Sequence, residues 1–278
     1  MASLEKFLQD DVHATFRLIL AGLKYRDDLK PCNDQPTAYL LAGQPGAGKT
    51  VLSSYIAGLY NGNVVLLNGD EYRRYHPNYR ELYEAYGVDS VKMTSPFSST
   101  VTEKCIDELS DKRYNLIIEG TGRTYDVPKK TAKQLAPKGY SVEIAVIAVR
   151  PEVSLLSTLK RFFAMATDGT TPRATAIEAH DIVVKKLPGN LNKLLETPTI
   201  SRIRILDRDA SLVYDSSESD ITPGDALIGY WSQPWNDREL QAMLKDIEYL
   251  EGIEAAKNLG MGANITELKN RVSRRTYS

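Results

Sequence analysis

Cysteine is nearly absent: Cys32 and Cys105 are the only two in 278 residues, they lie far apart, and they form no Cys-x-x-Cys pair. Both are expected as free thiols, which excludes a disulfide scaffold and a cysteine zinc site. Histidine is almost as scarce, and His13, His76 and His180 share no metal-ligand spacing. No run of about 18 apolar residues occurs. Met1 is followed by an acidic-polar segment rather than a basic stretch and an apolar run, so a signal peptide is not expected and the cytoplasm is the expected compartment. Charge of one sign is missing too, with 35 Lys and Arg against 36 Asp and Glu, which leaves no strongly basic face for nucleic acid. What is present, 42% hydrophobic and 26% charged residues, is the balance of a globular chain able to bury a sizeable core.

Apolar spacing predicts the elements. Leu4, Phe7, Leu8, Val12, Phe16, Ile19, Leu20 and Leu23 fall at three- and four-residue steps, the pattern of an amphipathic helix within residues 3–28. Short apolar runs follow at 38–42, 64–67, 116–118 and 142–149, each of strand length, with helical patterns between them. Strands alternating with helices predict an α/β fold, a mostly parallel sheet with helices on both faces, which the glycine-rich motif described below makes one of the P-loop NTPase kind. Ligands of such sheets collect at the carboxyl ends of the strands. Residues 202–206 and 211–214 flank Asp207-Arg208-Asp209-Ala210 as a hairpin or edge pair. The stretch Glu239 to Leu259 is helical in spacing, so the expected organisation is a main α/β domain over 1–219 and a helical extension over 220–278, packed on the same domain.

The most specific motif is Gly43-Gln44-Pro45-Gly46-Ala47-Gly48-Lys49-Thr50, which satisfies G-x-x-x-x-G-K-[ST] at every fixed position. It follows a strand and precedes a helix, with Val51, Leu52, Tyr55 and Ile56 expected on the buried face of that helix. Glycine permits the backbone geometry that turns N–H groups toward phosphate oxygens, and the helix N-terminus adds a favourable dipole. Lys49 supplies a charge for the β and γ phosphates of ATP, and Thr50 offers a hydroxyl to Mg2+.

Three further places carry candidate chemistry. The second strand delivers Asp70 to the loop's edge of the sheet, where it either takes a proton from an attacking hydroxyl or caps the helix that follows. The third strand ends in Glu119-Gly120-Thr121-Gly122-Arg123, with Glu119 where a Walker-B-type acid sits, or simply in a turn. A polar segment from about 161 to 175 carries Arg161 and Arg173, readable as a lid that stabilises phosphoryl charge or as solvated arginines. His180-Asp181 reads as structural, and Glu103 alone reads as a surface charge on a helix.

Taken together, Gly43 to Thr50, the Asp70 segment through Tyr75-His76-Pro77-Asn78-Tyr79, Asn115 to Arg123 with Asp126-Val127-Pro128, and Arg173-Ala174-Thr175 with Ala179 to Lys185 resemble the zeta toxins of epsilon/zeta-type toxin–antitoxin systems. The resemblance spans about residues 37–215. It implies a kinase that phosphorylates the 3'-hydroxyl of the amino sugar in UDP-N-acetylglucosamine, a peptidoglycan precursor. It implies Asp70 as the catalytic base, Lys49, Arg161 and Arg173 on the ATP phosphates, Thr50 on Mg2+, and Glu103, Glu119, Thr121, Arg123 and Thr131 as contacts to the sugar and UDP. A small helical antitoxin acting in trans is implied as a partner. The tail from about Asp220, with Trp231 and Trp235, has no counterpart in that resemblance and is either a packed addition or a partner surface. Two other readings are a kinase of another UDP-sugar or nucleotide-like hydroxyl, and a nucleotide-dependent binding switch, for which no guanine-reading N-K-x-D motif is present.

Overall fold

The computed structural model describes residues 4–170, 172 and 174–276. Six strands form one sheet: β1 (Thr37–Ala42), β2 (Val65–Leu67), β3 (Leu116–Ile118), β4 (Ser141–Ile147), β5 (Arg202–Leu206) and β6 (Leu212–Asp215). Their order is β2-β3-β1-β4-β5-β6, and every pairing is parallel except β5 with β6. Parallel registry brings the carboxyl ends of β1, β2 and β3 to one edge, and β2 lies two strands from β1, roughly 10 Å at ordinary spacing.

Strand alternation divides the apolar residues between two faces. Ala38, Leu40, Ala42, Val142, Ile144 and Val146 enter the larger core beneath α1 (Gln9–Lys24), α5 (Ser90–Asp111), α6 (Asp126–Leu135), α8 (Ile177–Leu195) and α9 (Pro223–Trp231). Tyr39, Leu41, Ala145 and Ile147 face the other way, against α2 (Lys49–Leu59) and the start of α7 (Pro151–Thr167). Both faces are thus covered, as an inner parallel sheet requires. The predicted buried face of α2 is corrected: Leu52 and Ile56, one turn apart, are buried, whereas Val51 and Tyr55 are exposed. The predicted first helix starts later, at Gln9, and its inward residues are Val12, Thr15 and Phe16.

The segment after residue 219 is helical. α9 packs beside α8 and the β5–β6 edge. α10 (Asp237–Lys257), opened by a capping box between Asn236 and Glu239, and α11 (Gly262–Thr276) enclose a third core with α7: Leu155, Leu159 and Phe163 against Met243, Ile247, Leu250, Leu268 and Val272. Polar contacts tie the same helices down. Arg150, which precedes α7, stacks its guanidinium 4.8 Å from the Trp235 ring centroid and pairs with Glu239 at 3.1 Å. Arg271 of α11 holds Asp181 of α8 with two bonds of 2.7 Å.

At the sheet edge, Asp215 is buried, accepts the Ser217 N–H and hydroxyl, and receives both prongs of Arg202. Arg202 holds this carboxyl well below the usual carboxylate range. Such a pair stabilises the fold above the unfolded carboxylate pKa, roughly 3.9, and loses its contribution as pH falls toward the depressed folded value. Asp215→Asn is therefore expected to destabilise the protein by about 1–3 kcal/mol in urea unfolding at neutral pH, and the gap to the wild type should close below about pH 4.

Candidate functional site

The phosphate loop, residues 43–50, leaves the end of β1 and enters α2 through Gly48, whose φ of 101° lies in the left-handed region. Its shape is held by neighbours rather than by itself. A Cβ on Gly46 (φ 77°) would sit 2.1 Å from the Ser154 carbonyl oxygen of α7 and 2.9 Å from Thr158 Cγ2, so only glycine allows the loop to lie on that helix. The Gln44 side chain turns into the protein and donates to the Val149 carbonyl at 2.6 Å, so this residue can offer a ligand only its backbone. Gly43 N–H donates to the Thr121 carbonyl at 3.3 Å, joining the loop to the segment after β3.

Lys49, at the first turn of α2, donates to the Gly43 carbonyl at 3.2 Å. Burial pushes its pKa down, while Glu119 and Asp70 pull it back up and Arg161 adds to the fall. Glu119, at the end of β3, is pushed up by burial and, less strongly, by Asp70 and Glu71, while Lys49 opposes the rise. These mutual influences mean that Lys49, Asp70, Glu119 and Arg161 share one electrostatic neighbourhood at the carboxyl edge of the sheet. A triphosphate there meets two cations and two carboxylates.

Asp70 is not the helix cap that its position allowed. Asn68 caps α3 (Gly69–Tyr72) by accepting the Asp70 N–H at 3.0 Å, which leaves the Asp70 carboxylate free of capping. The carboxylate is exposed and is held instead by Arg73 Nε at 2.9 Å. Arg73 is in turn fixed by the Val91 carbonyl and Ser95 Oγ of α5 at 2.8 and 2.9 Å. This arginine escaped the sequence reading, although its i, i+3 spacing from Asp70 on a short helix was the available signal.

The other predicted residues fall in two further places. Glu103 on α5 pairs with Lys130 of α6 at 2.8 Å, and Thr131 follows on α6 with its hydroxyl donating to the Val127 carbonyl at 3.1 Å. Glu103 stands next to Thr102, whose hydroxyl faces Gly69 beside Asp70. Thr121 and Arg123 lie exposed after β3, with Thr121 Oγ1 accepting the Arg123 N–H at 3.3 Å. Arg123 also opens a cleft of about 570 Å³ lined by Tyr125, Asp126, Lys185, Lys186, Asn190 and Lys193. Asn190 ties α8 to this edge by donating to the Gly122 carbonyl at 2.8 Å.

Arg161 sits on α7 rather than in a loop, and Nη2 donates to Thr175 Oγ1 at 3.4 Å. The connection to α8 spans 168–176, and Arg173 lies outside the described residues. The sequence reading of His180 as structural agrees with its place: it is fully buried, with Nε2 2.8 Å from Ser154 Oγ and Nδ1 3.1 Å from Asp181. Burial pushes its pKa down, against the opposing pull of Asp181. His76 is likewise buried, between Phe7 and Phe97.

The zeta toxin family model matches residues 23–219. The chain is 44% identical over 232 residues to "Toxin PezT" of Streptococcus pneumoniae serotype 4, which covers 81% of this chain and 92% of that one. It is also 44% identical over 221 residues to "Toxin zeta" of Enterococcus hirae, covering 79% of this chain and 77% of the relative. Among solved structures, one from the PezAT chromosomal toxin–antitoxin system of Streptococcus pneumoniae superposes with a TM-score of 0.79 at 38% identity, covering 90% of this chain and 99% of its own. That coverage exceeds what residues 1–219 could supply, so part of the C-terminal helices has a counterpart after all.

The contact of Gly46 with α7 makes a direct prediction. Gly46→Ala should weaken ADP binding by more than about 10-fold in calorimetric titration, since either the loop or Ser154 must move. Gly252→Ala on α10, where an added Cβ meets nothing within 4 Å, is the control and should leave the affinity unchanged.

Proposed function

Because the chain belongs to the zeta toxin family, we propose that it transfers the γ-phosphoryl group of ATP to the 3'-hydroxyl of the amino sugar of UDP-N-acetylglucosamine, removing a cell-wall precursor. The observation that carries the reading is the common neighbourhood of Lys49, Asp70, Glu119 and Arg161 beside a glycine loop of the P-loop type. ATP and nucleotide sugars are cytoplasmic metabolites, and the reaction belongs in that compartment; among the described residues no helix is long and apolar enough to cross a membrane.

In this mechanism Asp70 accepts the proton of the acceptor hydroxyl as its oxygen attacks the γ phosphorus, and the bond from that phosphorus to the bridging oxygen of ADP breaks. Arg73 aims the carboxylate. Lys49, Arg161 and Arg173 balance the charge that spreads over the phosphoryl oxygens. The Thr50 hydroxyl, exposed at the start of α2 and making no hydrogen bond among the described residues, suits Mg2+. No group of three or more His, Cys, Asp or Glu able to hold a metal occurs among the described residues, which fits an ion that takes most of its ligands from phosphate and water. When bound, Mg2+ supplies charge neutralisation to the β and γ phosphates.

In this reading Glu119, Thr121 and Arg123, which follow one another from the end of β3 toward the cleft, contact the acceptor together with Glu103 on α5 and Thr131 on α6. Arg123 is four residue steps beyond Glu119, a span of at most roughly 14 Å. Arg123, Lys185, Lys186 and Lys193 form no ion pair with a carboxylate among the described residues, and Asp126 is the single acid in the cleft lining. Unpaired cations within reach of the sugar site favour an acceptor that carries phosphates, such as a UDP-sugar, over a neutral sugar. We further read residues 1–219 as the kinase domain and 220–278 as its packed extension. A small antitoxin protein binding in trans is the expected partner, since the solved relative comes from a toxin–antitoxin system.

Incubation with ATP, Mg2+ and UDP-N-acetylglucosamine should yield the acceptor plus one phosphate by mass spectrometry. Asp70→Asn should lower turnover by at least about 100-fold while ADP still binds. Phosphate appearing on other UDP-sugars and never on this one would overturn the acceptor, and full turnover by the Asp70 variant would overturn the base.

A further inference from the structure

A loop whose N–H groups converge on an anion turns carbonyls the opposite way, and those carbonyls need donors from outside the loop. Within the motif, Lys49 donates to the Gly43 carbonyl and the Ala47 N–H to the Gln44 carbonyl, but the donors for the Gly46 and Ala47 carbonyls lie outside it. In this chain they come from Arg208, in the turn between β5 and β6. Its Nη2 donates to the Gly46 carbonyl at 2.7 Å and its Nε to the Ala47 carbonyl at 3.1 Å, while Nη2 also donates to Ser157 Oγ of α7 at 3.0 Å. Its stem crosses Gly48 so closely that an added Cβ there would lie 3.5 Å from Nε and 3.9 Å from Cγ.

We propose that Arg208 is a positioning residue for nucleotide binding: it fixes the phosphate loop by filling the outward carbonyls of Gly46 and Ala47, and its positive charge stands directly behind the bound phosphates. The proposal rests on the reading of the loop as an ATP site, and three independent features support it.

First, the turn is built to present this side chain. Asp207 Oδ1 accepts the N–H groups of Asp209 and Ser211, both at 2.9 Å, and Ala210 closes the turn at φ 59°. Second, the guanidinium is half-buried and pairs with no carboxylate among the described residues, although Asp207 and Asp209 flank it in sequence. An unpaired, partly buried cation is costly in the empty protein, and the cost falls when an anion arrives on the far side of the loop. Third, the fork is used as a fork. One guanidinium spans two consecutive carbonyls and a hydroxyl on α7, which an ammonium group cannot do at once.

The test is calorimetric titration of the full chain with Mg-ADP, comparing the wild type with Arg208→Met, which keeps the stem over Gly48, and Arg208→Lys, which keeps the charge. Loss of two charge-assisted bonds to the loop should weaken ADP binding by about 10- to 100-fold in Arg208→Met, with Arg208→Lys between the two. The unfolding midpoint of each nucleotide-free variant should stay within a few degrees of the wild type, which separates a local effect on the loop from a general loss of packing. Equal ADP affinity in the wild type and Arg208→Met overturns the proposal, as does a Lys variant no better than Met. A wild type that fails to bind ADP removes the nucleotide reading itself. If Arg208→Met does not fold, the Lys variant alone decides: full wild-type affinity would contradict the need for the fork.

Discussion

The structure turns on one constraint, which is that a phosphate loop with its N–H groups facing inward must be held in that shape from outside. Eight residues cannot hold it alone, because their carbonyls point away from the ligand and their glycines are the most flexible residues in the chain. Four supports meet it here. Ser154 of α7 lies flush under Gly46, the Val149 carbonyl takes the Gln44 amide, the Thr121 carbonyl takes the Gly43 N–H, and Arg208 covers Gly46 and Ala47. Much of the rest of the molecule can be read as what keeps those four in place.

The C-terminal helices gain a purpose on this view. Arg271 of α11 grips Asp181, Asp181 orients His180, and His180 meets Ser154, whose carbonyl is the floor under Gly46. The apolar side of the same assembly is the core that α10 and α11 share with α7. A charged chain and an apolar cluster therefore converge on one helix, and that helix sets the height of the loop. Ser154 and His180 are fully buried, with Asp181 partly exposed, so the Ser-His-Asp arrangement serves position rather than nucleophilic attack.

Much of this was legible in the residues. The P-loop, the strand runs at 38–42 and 116–118, the hairpin around 207–210, and the arrival of Asp70 and Glu119 at one edge all follow from local patterns, because strand period and glycine spacing are local properties. The details set by packing were not. Whether Asn68 or Asp70 caps α3 depends on which side chain the turn aims at the Asp70 amide, and both residues are good caps by type. Val51 and Tyr55 read as buried because they are apolar, yet only the stripe through Leu52 and Ile56 meets the sheet. Arg208 sits in a loop that reads as a turn, and its role exists only once the fold carries that turn back across about 160 residues to the phosphate loop. Arg161 read as part of a loop because breakers follow it, but α7 continues past it to Thr167.

The central claim is that the phosphate cradle is set before any nucleotide arrives, and backbone 15N relaxation of the nucleotide-free protein tests it most directly. The account predicts order parameters of about 0.85 across residues 43–50, matching the sheet beneath them. Values below about 0.6 that rise only when nucleotide is added would contradict it, because the loop would then be shaped by its ligand and not by its supports.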